Sequence, residues 1–487
     1  FLDESVDATF SGSTYTGGSI LEYCIVEYGT ELSIYNSSPF VHYSEFRYNS
    51  SYGIRVSGVG TYLWVNNCDI HHNSRGVEVY ASQSAALFSY NTIRDNTPDG
   101  GGYAGASTFS YNTIKNNTVS TDNNNCYNCG GGIKIDGTDF DHNLISGNSH
   151  SSGNGTSGLY IYRGWDVTNN IIFNNTGSDY AVYFGDLGPR TFTHNIIVDG
   201  LTYVFQNELD GSYANNVFAG GVAGRIEFQN NNADFSKNHI LNSPGDGYYD
   251  HLMIYGDNYN LDQTVYFSNN LFSNNSAGYY LEPGANDRAR TYVTTTQNNL
   301  INNENGFYVK APTVNYSVEN NWWGTTTESE IQAMVYDWND DASLGFLDYD
   351  PYLTAPSTLA PVSPPKNVVK QSTSGGVLLS WAANPETDVT GYKVYYGAYS
   401  GYSFASSVDA GNVTSYTLSG ASISDTIAVT AYDPSANGTD DQTDGFESWF
   451  SIAGDPSPSM TLSANSLDFG AVQTSQSSSL NITVGND

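Results

Sequence analysis

The chain has little positive charge. Sixteen lysines and arginines stand against 50 aspartates and glutamates, a formal charge of -34 over 487 residues. Such a surface repels nucleic acid and other polyanions, and it suits a soluble extracellular protein or one that attracts cations. No apolar run approaches the roughly 18 residues of a membrane helix, so no membrane span is expected. There is no starting Met and no basic-plus-apolar leader, which fits a chain that starts after processing or belongs to something larger. Residues 1 to 320 lack apolar positions at i, i+3 and i+4, which disfavours helical-repeat solenoids. Methionine (3) and cysteine (4) are scarce, whereas tyrosine (39) and glycine (49) are plentiful. The length allows two or three domains.

What is there is a repeat. Phe88 to Asn96 reads FSYNTIRDN and Phe109 to Asn117 reads FSYNTIKNN. Looser copies begin at Leu21, Val41, Val65, Phe140, Val167, Phe192, Tyr213, Phe235, Phe267, Thr295 and Val318, thirteen in all. Their fourth positions or equivalents form a column: Cys24, Ser44 and Cys68, then Asn91, Asn112, Asn143, Asn170, Asn195, Asn216, Asn238, Asn270, Asn299 and Asn321. Around each Asn the apolar residues alternate, and a second alternating strip follows a glycine, as in Gly76-Val-Glu-Val and Gly132-Ile-Lys-Ile. Period two means strand. Short strands with a glycine at one turn and an asparagine at another predict an all-β, parallel β-helix of about 13 coils, stacked about 4.8 Å apart. A buried asparagine turn can satisfy itself only through the coils above and below, so the column is expected to be a structural ladder.

The N-x-[IVF]-x-x-N repeats and the asparagine column make residues 1 to 350 resemble the right-handed parallel β-helix superfamily, which includes pectate lyases and many bacterial surface proteins. That resemblance implies a fold shared by lyases, glycosidases, epimerases, adhesins and phage fibres, and fold does not choose among them. The N-T-D, G-H-G and R-I-K motifs of its polygalacturonase branch are absent.

Thr327-Glu-Ser-Glu330 reads as a capping box, and Ile331, Met334, Val335 and Trp338 follow at helical spacing. A capping helix over about 328 to 339 is therefore expected to cover the last coil. No comparable cap is visible in residues 1 to 20, which implies either further coils upstream or another molecule at that end. A Pro-containing linker spans 351 to 361. Leu379-Ser-Trp381, Asn384-Pro-Glu386, Gly391-Tyr-Lys-Val-Tyr-Tyr396 and Val429-Thr-Ala-Tyr-Asp433 resemble a fibronectin type III sandwich over 362 to 454. Residues 459 to 487 resemble the opening strands of an incomplete Ig-like module, whose partner strands would lie further along the chain or in a neighbour.

Candidate sites are few. Cys24 and Cys68 should lie about two rungs apart, beyond disulfide reach, unpaired and buried. Cys126 and Cys129 form a C-x-x-C pair, best read as a loop disulfide because two further zinc ligands are missing. Asp136, Asp139 and Asp141, with His142 and Arg163, are the densest carboxylate group, more simply a solvated turn. His71-His72 reads as a surface turn. Thirteen basic residues in 1 to 355 do not gather in one column. Aligning the glycine strips places Tyr160, Tyr183, Tyr280 and Tyr308 in one outward row, with Tyr162 beside it. They form either a carbohydrate platform or a cross-coil stack. Calcium is a weaker candidate ligand, at Asp99, Asp122 or the acidic loop Asp433 to Asp444; no other cofactor is expected.

Three functions compete on these residues. The first is a non-catalytic extracellular, cell-surface structural or adhesive protein, assembling with copies of itself end to end. The second is a polysaccharide-active enzyme on a β-helix scaffold, and the third is a carbohydrate-binding protein without turnover.

Overall fold

A computed structural model describes residues 1–455 apart from residue 3 and segments 59–61, 81–85, 121–129, 152–154, 178–179, 189, 199–201, 208–210, 221–222, 229–232, 243–251, 257–262, 277–278, 283–290, 304–306 and 310–314, together with Met460–Leu462 and Val484–Asn486. Nearly every strand up to residue 348 pairs in parallel with the strand one coil away. Twelve three-residue strands, from Ile25–Glu27 to Asn299–Ile301, make one narrow sheet. The remaining two sides of the coil belong to a long sheet of 23 strands. The strands Ile133–Asp141 and Thr156–Thr168 run through both of its strips without a break.

One local unit builds the corners. Tyr90, Tyr111, His142, Asn169, His194 and Asn215 all take positive φ, between 53° and 59°, immediately before a column asparagine. Five residues later the turn recurs, at Asp95, Asn116, Gly147 and Asn174. Between the two corners lies one narrow-sheet strand, its middle residue pointing inward: Ile70, Ile93, Ile114, Ile145 and Ile172 are all fully buried.

The column asparagines form a continuous chain of amides. The backbone N–H and Nδ2 of Asn91 both donate to Oδ1 of Asn112, at 2.9 and 3.0 Å, and Asn91 Nδ2 also donates to the Val65 carbonyl. Asn112 repeats this toward Asn143, and so on through Asn170, Asn195, Asn216, Asn238 and Asn270. Toward the N-terminus, Cys68 N–H donates to Asn91 and Cys24 N–H to Ser44 Oγ.

The last coils correct the expected register by one residue. Asn270 donates to Asn298, and Asn298 to Asn321, so Asn298 occupies the ladder in place of Asn299. Asn299 starts the next narrow-sheet strand, points out, and exchanges hydrogen bonds with the backbone of Ser357. In the run Gln297-Asn298-Asn299 it is Gln297 that takes the positive φ, and this shifts the column back by one.

A second ladder stands at the other corner: Asn49, Asn73, Asn96, Asn117, Asn148 and Asn175, resumed by Asn275 and Asn303. Its amides also explain the glycine that opens the next strand. A Cβ on Gly132 would sit 2.5 Å from the Gly158 carbonyl and 3.1 Å from Asn148 Nδ2. Inside, Phe88 and Phe109 stack at 4.7 Å, and Phe235 and Phe267 at 5.1 Å.

The ends differ from expectation. The helix covers only Glu328–Ala333, and Thr327 makes no side-chain cap bond; Glu330 instead meets the Thr325 hydroxyl. Val335–Tyr336 leaves the helix to pair in parallel with Phe307–Val309, and Trp338 is exposed. A strand edge left open by the preceding coil competes for these residues more effectively than one more helical turn. At the N-terminus an antiparallel hairpin, Thr9–Ser11 with Thr14–Gly17, lays Phe10 and Tyr15 against Phe40, with Phe10 also meeting Trp64. It covers the side of the first coils, while Ile20 and Ile25 stay exposed.

Residues 366 to 452 form two antiparallel sheets of three and four strands around Val377, Leu379, Trp381, Val394 and Val429. Met460–Leu462 pairs antiparallel with Val484–Asn486, so these two strands of the last stretch find each other within the chain. The segment 351–361 is no free linker. Leu353 N–H donates to the Asn321 carbonyl, Asn320 N–H to that of Pro351, and Ser357 is buried. No helix among the described residues is long and apolar enough to cross a membrane.

Cys68 is buried with its thiol pushed up to about 12 by burial, whereas Cys24, expected to be buried as well, is partly exposed; both are free. Native protein treated with a maleimide should therefore be labelled at Cys24 and spared at Cys68, as read by peptide mapping. The ladder yields a sharper expectation. Asn143→Ala strands the Asn112 N–H and the Phe109 carbonyl in a dry corner, at a cost of about 3 kcal/mol. A melting temperature within a degree of wild type would contradict it.

Candidate functional site

The outward row of the glycine strip is Arg55, Glu78, Tyr103, Lys134, Tyr160 and Tyr183 in successive coils. Tyr160 and Tyr183 stack on each other, centroids 5.2 Å apart and planes 12° apart, and Tyr160 is only 5% exposed. The Lys134 ammonium lies 5.0 Å from the rings of both Tyr160 and Tyr162 and 5.9 Å from that of Tyr103. Burial lowers its pKa, against the opposing pull of Asp136. Ring faces spent on neighbouring coils and a cation are not open to a sugar, so Tyr160 is no platform. Tyr280 and Tyr308 pair in register with each other, but their side chains lie outside the described residues, as do Cys126, Cys129 and Asp122.

The three candidate aspartates do not converge. Asp136 is held by Arg163 at 2.7 and 3.2 Å and by the Tyr103 hydroxyl at 3.0 Å. Asp141 accepts from Thr168 and Asn169 and meets His142 at 2.6 Å; these bonds outweigh burial and keep its carboxyl below the ordinary range. Asp139 points from the other strip of the long sheet. Burial raises its pKa, and Asp166 on the adjacent strand adds to the rise. Glu78, in register with Arg55, is 6% exposed and bound by Arg75 at 2.6 Å and by Tyr80 at 2.7 Å.

Basic side chains do gather, contrary to expectation. Arg47, His71, Arg94 and Lys115 occupy four successive rungs on the outer face of the narrow sheet. Carboxylates interleave with them: Arg47 bonds Glu27 and Glu45, each at 2.7 Å, and His71 meets Glu45 at 2.8 Å. Arg94 bonds Asp69 at 2.7 Å and Asp95 at 2.8 Å. His71 is 5% exposed and so belongs to this network rather than to a surface turn. Tyrosines at the positive-φ corners flank the strip: Tyr23 stacks on Tyr43, Tyr90 on Tyr111, and Tyr28 on Tyr48, at 5.0 to 5.5 Å.

Farther along, the same face turns apolar and is covered. Val198, Val217, Ala219, Leu241, Leu271, Ile301 and Trp322 pack against Ala428, Trp449 and Phe450 of the sandwich. Phe173 meets Tyr402 at 4.9 Å, Lys366 donates to Asn302 at 2.8 Å, and His194 pairs with Asp444 at 3.2 Å. The sandwich is thus docked on the solenoid. The signal was present in Ile196-Ile-Val198 and Val217-Phe-Ala219, strands apolar on both faces. Where the docking begins, a cleft of about 340 Å³ opens, with His142, Asn169, His194, Ile171 and Ile196 on one side and Lys393, Tyr395, Asp440, Asp441, Thr443 and Glu447 on the other.

The acidic groups of the loop Asp433 to Asp444 serve its own turns. Asp441 accepts from the N–H groups of Asn437 and Gly438, and Asp433 from Ser435. Among the described residues no three His, Cys, Asp or Glu side chains group as metal ligands.

The family model described as a right handed beta helix region matches residues 2–162. No curated protein and no solved structure matches the chain. Together with the parallel coils, that match supports a right-handed β-helix repeat architecture.

His239 lies fully buried under the sandwich, in the row between Val217 and Leu271. Burial pushes it down to about 3 from 6.5, against the opposing effect of the Gln442 backbone. The folded value is below the unfolded one, so the ring docks neutral. Its contribution is complete above about pH 6.5 and shrinks as pH falls toward 3. Between pH 6.5 and 5 the melting temperature of wild type should therefore drop more than that of His239→Leu; parallel profiles would contradict this.

Proposed function

We propose that the chain is a non-catalytic extracellular surface protein, structural or adhesive, in which solenoid and sandwich act as one stiff unit. The observation that carries this reading is the commitment of the carboxylates. Glu78, Asp136 and Asp141 are each tied to a cation or to hydroxyl, amide or imidazole partners, so none of these three is free to act as a catalytic acid or base. The likeness of residues 362 to 454 to fibronectin type III modules supports it, since such modules bind or space rather than catalyse. The exposed Ile20 and Ile25 on the first strands supply an apolar edge against which another copy can stack end to end. The acidic surface suits a secreted setting.

One observation favours a glycosidase as the second reading. Asp139 and Asp166 sit on adjacent strands at a register irregularity, near enough for the Asp166 charge to act on the Asp139 carboxyl. Asp139 also has the raised pKa that an acid needs.

Incubation with a panel of plant, algal and bacterial polysaccharides separates the two. The expected outcome is no new reducing ends and no unsaturated uronates. Turnover that disappears in Asp139→Asn would replace the first reading with the second.

A further inference from the structure

The sandwich strand Gly391–Tyr399 turns Lys393 and Tyr395 onto the cleft, and the neighbouring strand Ala428–Tyr432 sets Thr430 directly opposite Lys393. Glu447 reaches this group from a bridge to Tyr432. Its Oε1 accepts from the hydroxyls of Tyr395 at 2.7 Å and Thr430 at 2.6 Å, and its Oε2 meets Lys393 Nζ at 2.5 Å. One buried carboxylate already balances the lysine, yet a second stands beside it. Asp441 Oδ2 lies 3.7 Å from the same Nζ, and the Asp441 and Glu447 side chains are 5% and 2% exposed. The Glu447 N–H donates to the Asp441 backbone carbonyl at 3.0 Å, which fixes the two acidic residues relative to each other.

An ion pair does not explain the second carboxylate. Asp441 stands beyond hydrogen-bond distance of the ammonium, and both its oxygens are held by backbone N–H groups, Oδ1 by Asn437 at 2.8 Å and Oδ2 by Gly438 at 2.7 Å. Donors in that position stabilise the negative charge that develops on oxygen when a nucleophile adds to the carboxyl carbon. The parts of an acyl transfer are therefore together: an amine, a base in contact with it, two hydroxyls that orient the base, and a polarised carboxyl beside the amine.

We propose that Lys393 and Asp441 condense to an isopeptide bond, with Glu447 as the proton carrier. Two of the ammonium protons pass through Glu447 Oε2 to one Asp441 oxygen. The Nζ lone pair forms the bond to Cγ, the C–O bond breaks with its electron pair, and that oxygen leaves as water into the cleft. Nothing is oxidised or reduced, and no co-reactant is needed. In the product the amide N–H donates to Glu447, which keeps Tyr395 and Thr430, and the remaining Asp441 oxygen stays with the loop N–H groups. Condensation removes a charged pair from a place where burying ions is costly. Holding the two groups together supplies the effective concentration that a free amine and acid lack in water. The bond ties the strand to the loop whose Asp444 pairs with His194 of the solenoid, so the docked wall of the cleft is locked to its own sheet. This goes beyond the adhesive reading and does not depend on it.

The test is the intact mass of the whole denatured chain, followed by peptide mapping. The wild type is expected to be one water lighter than its sequence, with a branched peptide joining Lys393 to Asp441 and no tryptic cleavage after Lys393. Lys393→Arg, Asp441→Ala and Glu447→Gln should each show the full mass of their sequences. A wild type of full mass overturns the proposal, whether or not the variants fold. So does a lost water that maps to a cyclic imide at an Asp-Gly step such as Asp99-Gly100, or a complete link in Glu447→Gln. Turnover in the polysaccharide panel would overturn the non-catalytic reading and leave the bond standing.

Discussion

The structure depends on an amide that reaches two coils at once. Each ladder asparagine accepts two N–H bonds from the coil before it, donates one to the coil after it, and returns another to a carbonyl. No other uncharged side chain of that length can do this, because the work requires an acceptor and a two-proton donor on one planar group. A corner with left-handed φ turns its backbone groups away from the strand ladders. In a dry interior those groups would cost about 1 to 3 kcal/mol each if left unpaired. Ladder and corner are therefore one device, and its use twice per coil makes the narrow sheet a rigid strip.

That rigidity explains how the outer surface is assigned. The corner residue carries no inward duty, so its side chain is free to vary, and tyrosine, histidine, asparagine and lysine all occur there. The strand between the corners has two outward positions per coil. In the early coils they carry an alternating charge network, and in the later coils hydrocarbon that the sandwich covers. Along one face, the solenoid divides into an open half and a docked half, and the cleft marks the border between them.

This is also why fold and site were unequally legible. The ladder shows in sequence because it is a single residue type at a fixed local spacing, and Asn299 misled even though the copy from Thr295 carries Asn298 at its fourth position and Asn303 five residues on, the spacing of Asn91 and Asn96. The second ladder, Asn96 after Asn91 and Asn117 after Asn112, was written in the same repeat but hidden by attention to one column. The helix was overextended because Val335 satisfies a helical period and a strand equally well. The cleft could not be read at all: Lys393 and His194 are about 200 residues apart in sequence, and nothing local announces that they face each other.

Docking also alters how the sandwich should be understood. A module joined by a free tether would sample many orientations, and its surface would be independent of the solenoid. Here the connecting segment is itself bonded to the last coils through Leu353 and Ser357. The apolar residues it delivers, Trp449 and Phe450, meet a face that would otherwise expose Val198, Leu241 and Leu271 to water. Removing the sandwich would uncover a contiguous hydrocarbon strip on a solenoid whose own coils remain fully bonded. The sandwich therefore keeps that face out of water, and in doing so it builds the second wall of the cleft.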